Sequence, residues 1–206
     1  KIYDEPFADS SQVPTFLLSS LASKKVKVSL SGDGGDEIFA GYNRHRFANN
    51  ILPKLNYVPL KLRKFIATKI IGKSPEDLKE LIKLLPLSSH KQNNLGSLLI
   101  KIAKVIDTEN ITNYYENLIY QTDQSHKILY GGSHLNTSNW VENLNTNMGE
   151  CSDLEKVMLM DTINYLPDDI LVKVDRASMS VSLETRAPFL DPRVFRYAWS
   201  LPSSLK

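Results

Sequence analysis

Between residues 29 and 42 the chain reads SLSGDGGDEIFAGY, with three glycines and three carboxylates packed into Gly32 to Glu37. Glycine permits positive φ and the close approach of another group, so a stretch this rich in it is a loop, and its flanks decide what it joins. Upstream, VKVSL (26–30) is β-branched and alternating and predicts a short buried strand. Before that, Pro14 to Ala22 has apolar residues at helical spacing. Downstream, Ile38, Phe39, Tyr42 and Phe47 predict a helix starting near Asp36. Helix, strand, glycine loop, helix is the order of a piece of an α/β sheet.

A strand that ends in such a loop and turns into a helix offers backbone amides to an anion. Carboxylates in the same loop would repel a bare phosphate. They make sense beside one if a cation such as Mg²⁺ bridges them to it, or if a basic side chain neutralises them. Asp36 is thus a candidate Mg²⁺ ligand and Asp33 a candidate partner for a Lys or Arg arriving from elsewhere. Ser31 and Gly32 are placed to line a nucleotide, and Gly34 and Gly35 to let a phosphate close in. The same letters also describe an ordinary turn with Asp36 as helix cap and Glu37 in the first turn. The loop is neither a Walker A motif nor G-x-G-x-x-G.

The rest of the chain reads mostly helical. Leu60 to Ile71 has helical periodicity with basic residues on the outside. SPEDLKELIKLL (74–85) carries a Ser74–Asp77 capping box with Pro75 at the first helical position. Residues 95–106 and 110–121 are two further helix candidates, and 131–150, rich in Gly, Asn, Ser and Thr, reads as a long loop or lid. SDLEKVMLMDTINYL (152–166) predicts a helix with a Ser152–Glu155 box, followed by Pro167. The 206 residues suffice for one sizeable core, or one core plus a small lobe. A net charge of +2 gives no reason to expect nucleic acid or a membrane surface as partner. No apolar run reaches the roughly 18 residues of a membrane span, and no signal-peptide pattern is visible. Cys151 is the only cysteine, so no intrachain disulfide forms, which fits a reducing, cytoplasmic setting.

A second unusual stretch, LVKVDRASMSVSLETRAPFLD (171–191), sets Lys173, Asp175, Arg176, Glu184, Arg186 and Asp191 among apolar residues. In a helix, Lys173 and Arg176 share a face. Two cations there could grip a polyphosphate or pair with Asp33. For Glu184, a structural ion pair with Arg176 or Arg186 is the plainer reading.

SLSGDGGDEIFAGYNRHR and YLPDDILVKVDRASMSVSLETRAPFLDPRV resemble the synthetase domain of glutamine-dependent asparagine synthetases, and DEPFADSSQVPTFLLS (4–19) resembles the segment before the glycine loop in that family. The resemblance anchors both ends of the chain and leaves residues 50–150 unmatched. It implies an adenine nucleotide alpha hydrolase-like (PP-loop ATPase) α/β fold, of which this chain carries one or two strands of the parallel sheet (1–50), a helical insert or lid (51–150) and a helical segment with the second motif (151–206). It also implies an activity. ATP and Mg²⁺ activate the side-chain carboxylate of aspartate as an acyl adenylate, and ammonia, released from glutamine in a separate N-terminal domain, displaces AMP. Carried over, Ser31 and Gly32 contact nucleotide, Asp36 holds Mg²⁺, and Asp33 is tied to a basic partner near pyrophosphate, either Lys173 or Arg176.

The family's pyrophosphate loop, Ser-Gly-Gly-x-Asp-Ser, does not occur here, and Cys151 has no terminal amine to act as its base. The expectation is a C-terminal portion of a longer enzyme, inactive as a synthetase alone, with a homodimer conceivable for the whole. Two alternatives stay open: amidation of another carboxylate, such as a sugar acid, and a non-catalytic module that keeps the fold. His45, His90, His126 and His134 lack metal-ligand spacing and read as surface or helix residues. Trp140 and Trp199 read as packing residues, Cys151 as an inert thiol, and the basic residues of 57–69 as a solvated face. Asn110-Ile-Thr and Asn136-Thr-Ser match the glycosylation pattern without other signs of secretion.

Overall fold

The computed structural model describes residues 2–55, 57–71, 73, 77, 99, 103, 105–119 and 150–206. The helix expected over 74–85, most of the one over 95–106 and the loop over 131–149 lie outside the described residues, as do His90, His126, His134, Trp140 and Asn136. The chain divides into two compact units, Lys1–Arg46 with Ser152–Lys206, and Phe47–Cys151.

The first unit opens with helix α1, Gln12–Ser23, and strand β1, Val28–Leu30. β1 pairs in parallel with β2, Glu184–Arg186, in the register Val28↔Glu184, Ser29↔Thr185 and Leu30↔Arg186. Ser31 N–H donating to Arg186 C=O at 2.8 Å extends the ladder to the first residue of the glycine loop. The strand expected to be buried is not. Val28 is 47% and Leu30 75% exposed, because only one neighbour strand flanks β1 among the described residues.

The helix expected from Asp36 is two helices. Helix α2 is a single turn, Gly35–Ile38, and α3 runs Asn43–Asn50. Ala40 between them takes φ 55°, and Gly41 N–H donates to Asp36 C=O at 2.9 Å. This left-handed turn stops the first helix, since a right-handed one cannot pass through it.

In the second unit, α4 is Leu52–Leu55, α5 Leu60–Ile71 and α6 Ile111–Ile119. Its core includes Ala67, Tyr114 and Tyr115, and the Phe47 and Tyr114 rings stack at 5.4 Å. Lys64 lies outside as expected, paired with Glu109. Arg63 does not. It is buried, and its Nη1 donates to the carbonyls of Ile106 and Thr108 at 3.2 and 3.1 Å. A guanidinium, with five donors, serves as a cap for backbone carbonyls, which periodicity alone does not reveal. Asn110 accepts from Asn113 N–H at 2.8 Å and caps α6.

The chain returns to the first unit at α7, Asp153–Met160. Its capping box forms as the spacing predicts, Glu155 N–H to Ser152 Oγ at 3.3 Å and Ser152 N–H to Glu155 Oε2 at 2.9 Å. The helix does not stop before Pro167. It continues as a π-helix, Asp161–Leu171, and then as α8, Val172–Met179. The wider turn tolerates a residue without an N–H, which would break an α-helix. α8 packs along α1, and α9, Pro192–Ser200, closes the unit. The Asp191 carboxylate caps α9 through Arg193 N–H at 2.8 Å. No helix among the described residues is long and apolar enough to cross a membrane.

Candidate nucleotide site

A cavity of about 650 Å³ opens at the carboxyl end of β1. Thr15, Leu18 and Ser19 of α1 form one wall, Leu30, Ser31, Gly32 and Asp33 the floor, and Lys173 and Val174 of α8 the other wall. The end of a parallel strand is where α/β sheets bind ligands. Four of the residues singled out in the sequence, Ser31, Gly32, Asp33 and Lys173, therefore border one space, although the motifs that carry them stand at opposite ends of the chain. Ser31 Oγ is buried and has no hydrogen-bond partner among the described residues. A buried hydroxyl in that condition is a group for a ligand to satisfy.

The three glycines do different work. A Cβ on Gly32 would meet open space. Gly34 takes φ +89°, and a Cβ there would come within 2.6 Å of Leu190 Cδ2. A Cβ on Gly35 would press on the Phe189 ring at 3.3 Å. Phe189 also meets Phe39 edge to face, with centroids 6.0 Å apart. The side of Gly34 and Gly35 expected to admit phosphate is thus filled by the Pro-Phe-Leu run of the second motif. These two glycines let the motifs dock, and a ligand reaches the loop from the Gly32 side.

The cations find other carboxylates than expected. Lys173 Nζ lies 2.5 Å from Asp9 Oδ2, and Arg176 Nη1 lies 2.9 Å from Asp4 Oδ2. Neither is within ion-pair distance of Asp33, although Lys173 and Asp33 line the same cavity. Burial alone would raise the Asp9 carboxyl, but hydrogen bonds from Lys173 and Ser11 outweigh it and hold it below its ordinary value. Asp169, one turn before Lys173, is raised, by burial first and then by the charge of Asp9. Arg186 pairs with Glu184 at 2.6 Å, both exposed, as the plainer reading of that segment has it.

Asp36 is exposed, and a Cβ on Gly41 would sit on its Oδ1. The carboxylate makes no ion pair with a described residue. No cluster of three or more His, Cys, Asp or Glu side chains that could hold a metal occurs among the described residues. Mg²⁺ commonly takes only one or two carboxylates together with substrate phosphates, so a free carboxylate in this loop fits that cation without a protein cage.

Beyond Asp36 the chain turns inward to a buried polar knot. Tyr42 Oη donates to Glu37 Oε1 at 2.7 Å, and Arg44 Nε and His45 Nε2 meet Asp161 Oδ2 at 2.7 and 2.6 Å. His45 and Asp161 are fully buried and Glu37 nearly so. The Arg44 guanidinium lies between the Tyr42 and Tyr165 rings, 4.2 and 4.5 Å from their centroids. Burial, more than the Tyr42 bond relieves, raises the Glu37 carboxyl, and burial followed by Glu37 raises the Tyr42 hydroxyl. Of the expectation that His45 is a surface or helix residue, the helix half holds, since His45 lies in α3, but the residue is buried and not at the surface. A histidine without metal spacing still pairs when a distant carboxylate is folded against it. Asp4, Asp9 and Asp161 lay in segments already notable, but no local spacing ties them to Lys173, Arg176 or His45.

The chain belongs to the asparagine synthase family, whose pattern matches residues 1–206. It is 29% identical over 208 residues to glutamine-hydrolysing asparagine synthetase 1 of Bacillus subtilis, covering 99% of this chain and 29% of that protein. Two further relatives, both provisionally named glutamine-hydrolysing asparagine synthetases, come from Mycobacterium tuberculosis and Methanocaldococcus jannaschii. The first is 30% identical over 98% of this chain and 28% of its own length, and the second 35% identical over 86% and 30%. The chain therefore spans under a third of the length of these relatives. No solved structure matches it.

Proposed function

We propose that this chain supplies part of the nucleotide site of an ATP-dependent amide-forming ligase that converts aspartate to asparagine through β-aspartyl-AMP, with ammonia drawn from glutamine. The observation that carries the reading is the convergence of Ser31, Gly32, Asp33 and Lys173 on one cavity at the end of β1. Within it, Gly32 leaves room for a backbone to approach a phosphate, and Ser31 Oγ offers a hydrogen bond. Lys173 opposes negative charge that builds on phosphate oxygens when a carboxylate attacks the α-phosphorus. Asp36 is the residue that would hold Mg²⁺, which when bound neutralises phosphate charge. Asp33, on the cavity floor, is free to meet a cation or the ligand itself.

The exposed apolar side chains of α1 and β1, among them Leu17, Leu18, Leu21, Val28 and Leu30, support a larger sheet in the whole enzyme. Parallel sheets are as a rule covered on both faces. The 206 residues alone are accordingly expected to be inactive. The test is aspartate-dependent exchange of labelled pyrophosphate into ATP. Full-length protein should exchange, and Asp36→Asn should abolish it. Robust exchange by the isolated 206 residues, or exchange driven by a different carboxylate and not by aspartate, would refute the corresponding part of the reading.

A further inference from the structure

We propose that Asp9 is a positioning residue, whose carboxylate holds the Lys173 ammonium at the wall of the cavity bordered by Ser31, Gly32 and Asp33, in place before an anionic ligand arrives. The inference rests on the reading that this cavity receives the nucleotide. A lysine is a point charge on a flexible four-carbon stem, and an unrestrained one must be brought into place as negative charge builds on the phosphate oxygens in the transition state. Lys173 is not unrestrained. Its backbone is fixed in α8, its C=O accepts from Tyr3 Oη at 3.3 Å, and its ammonium meets Asp9 across 164 positions of sequence.

Asp9 is itself held fast. Ser11 N–H donates to Oδ1 and Ser11 Oγ to Oδ2, both at 2.8 Å, at the residue that precedes α1. Since α1 forms the facing wall of the cavity, the carboxylate ties the ammonium to one wall while α8 carries it on the other. One of the three ammonium protons goes to Asp9, leaving two to donate to a ligand. The Lys173 and Asp9 side chains are only 10% and 18% exposed. The neighbouring pair, Arg176 with Asp4, is 49% and 78% exposed and is the kind of surface pair that fixes little. The two pairs thus fasten the same segment to α8, but only one of them ends at the cavity.

The test uses full-length protein and steady-state ATP–pyrophosphate exchange, with melting curves alongside. Asp9→Asn, nearly the same size, and Asp9→Ala should each lower kcat at least about tenfold while KM for ATP stays within about threefold, the pattern of a group that acts in the transition state. Asp9→Glu should recover most of the rate. On a Lys173→Ala background, adding Asp9→Ala should cost no more than about twofold, because the two residues act as one unit. A pair that merely fastens residues 3–11 would lower the melting temperature and leave the kcat pattern unmoved. That result, or full and independent losses in the double variant, overturns the proposal. If Lys173→Ala is impaired and both Asp9 variants are not, the inference on Asp9 falls and the nucleotide site stands. If Lys173→Ala exchanges normally, Lys173 has no part in the site and both fall. Should Asp9→Ala fail to fold, Asp9→Asn carries the same comparison.

Discussion

At one end of residues 31–45, Ser31, Gly32 and Asp33 border an open cavity, and Ser31 Oγ is buried without a partner. At the other end, Glu37, Tyr42, Arg44 and His45 are knotted to one another and to Asp161. Both ends are polar, and both lean on the long helix 153–179, the first on Lys173 and the second on Asp161. The difference is what their hydrogen-bonding capacity is used for. In the knot most of it is spent within the protein, His45 Nδ1 excepted, and it fixes where the loop stands. At the cavity it is left for something that comes from outside. A rigid anchor beside an unsatisfied site is how a loop holds a ligand-binding geometry that its own bonds do not stabilise.

The largest test of this contrast is Asp161→Ala. It leaves the Arg44 guanidinium and the His45 ring without their carboxylate in a buried place, and should cost about 3–5 kcal/mol of stability in urea denaturation. Ser31→Ala, by contrast, should change stability by less than about 1 kcal/mol while weakening ATP binding measured by calorimetry on the full-length protein. Equal effects of the two on stability would erase the distinction between anchor and site.

The glycines sharpen it next. Gly34→Ala must place a Cβ against Leu190 at a positive φ, and Gly41→Ala must displace the Asp36 carboxylate, so each should cost about 1–3 kcal/mol. Gly32→Ala meets nothing and should stay within about 0.5 kcal/mol, all three variants being compared by urea denaturation. A large loss at Gly32 would mean that this glycine, too, serves docking.

The smallest effect concerns Glu37. Its folded-state carboxyl is raised above the ordinary 4.5, mainly by burial. A raised carboxyl binds its proton more tightly when folded, so the native state loses stability relative to the unfolded as pH climbs past 4.5 toward the folded value. Relative to Glu37→Gln, the wild-type protein should therefore lose stability as the pH rises above about 4.5. A difference that is flat in pH would place Glu37 in contact with water.

Much of this could be read in advance where the cause is local. The Ser152–Glu155 box, α5 over Leu60–Ile71, the β1 strand and the helical spacing of Lys173 and Arg176 follow from neighbours a few residues away. So does the loop character of residues 32–34. Local reasoning failed where a distant partner decides. It placed Arg63 in solvent, ended a helix before Pro167, and continued another through Ala40. It did not foresee the Asp161 partner of His45, and it looked to Asp33 where the fold pairs Lys173 with Asp9.

The sequence by itself determined that residues 29–42 form a strand, a glycine loop and a helical turn, and that the chain carries two charged motifs far apart along it, because backbone preferences and side-chain periodicity act over a few residues. Only the tertiary structure decided which carboxylate each cation meets, which glycine faces a ligand and which faces Phe189 or Leu190. Charges and close contacts depend on distance in space, and that distance exists only after β1 and β2 pair and α8 settles along α1.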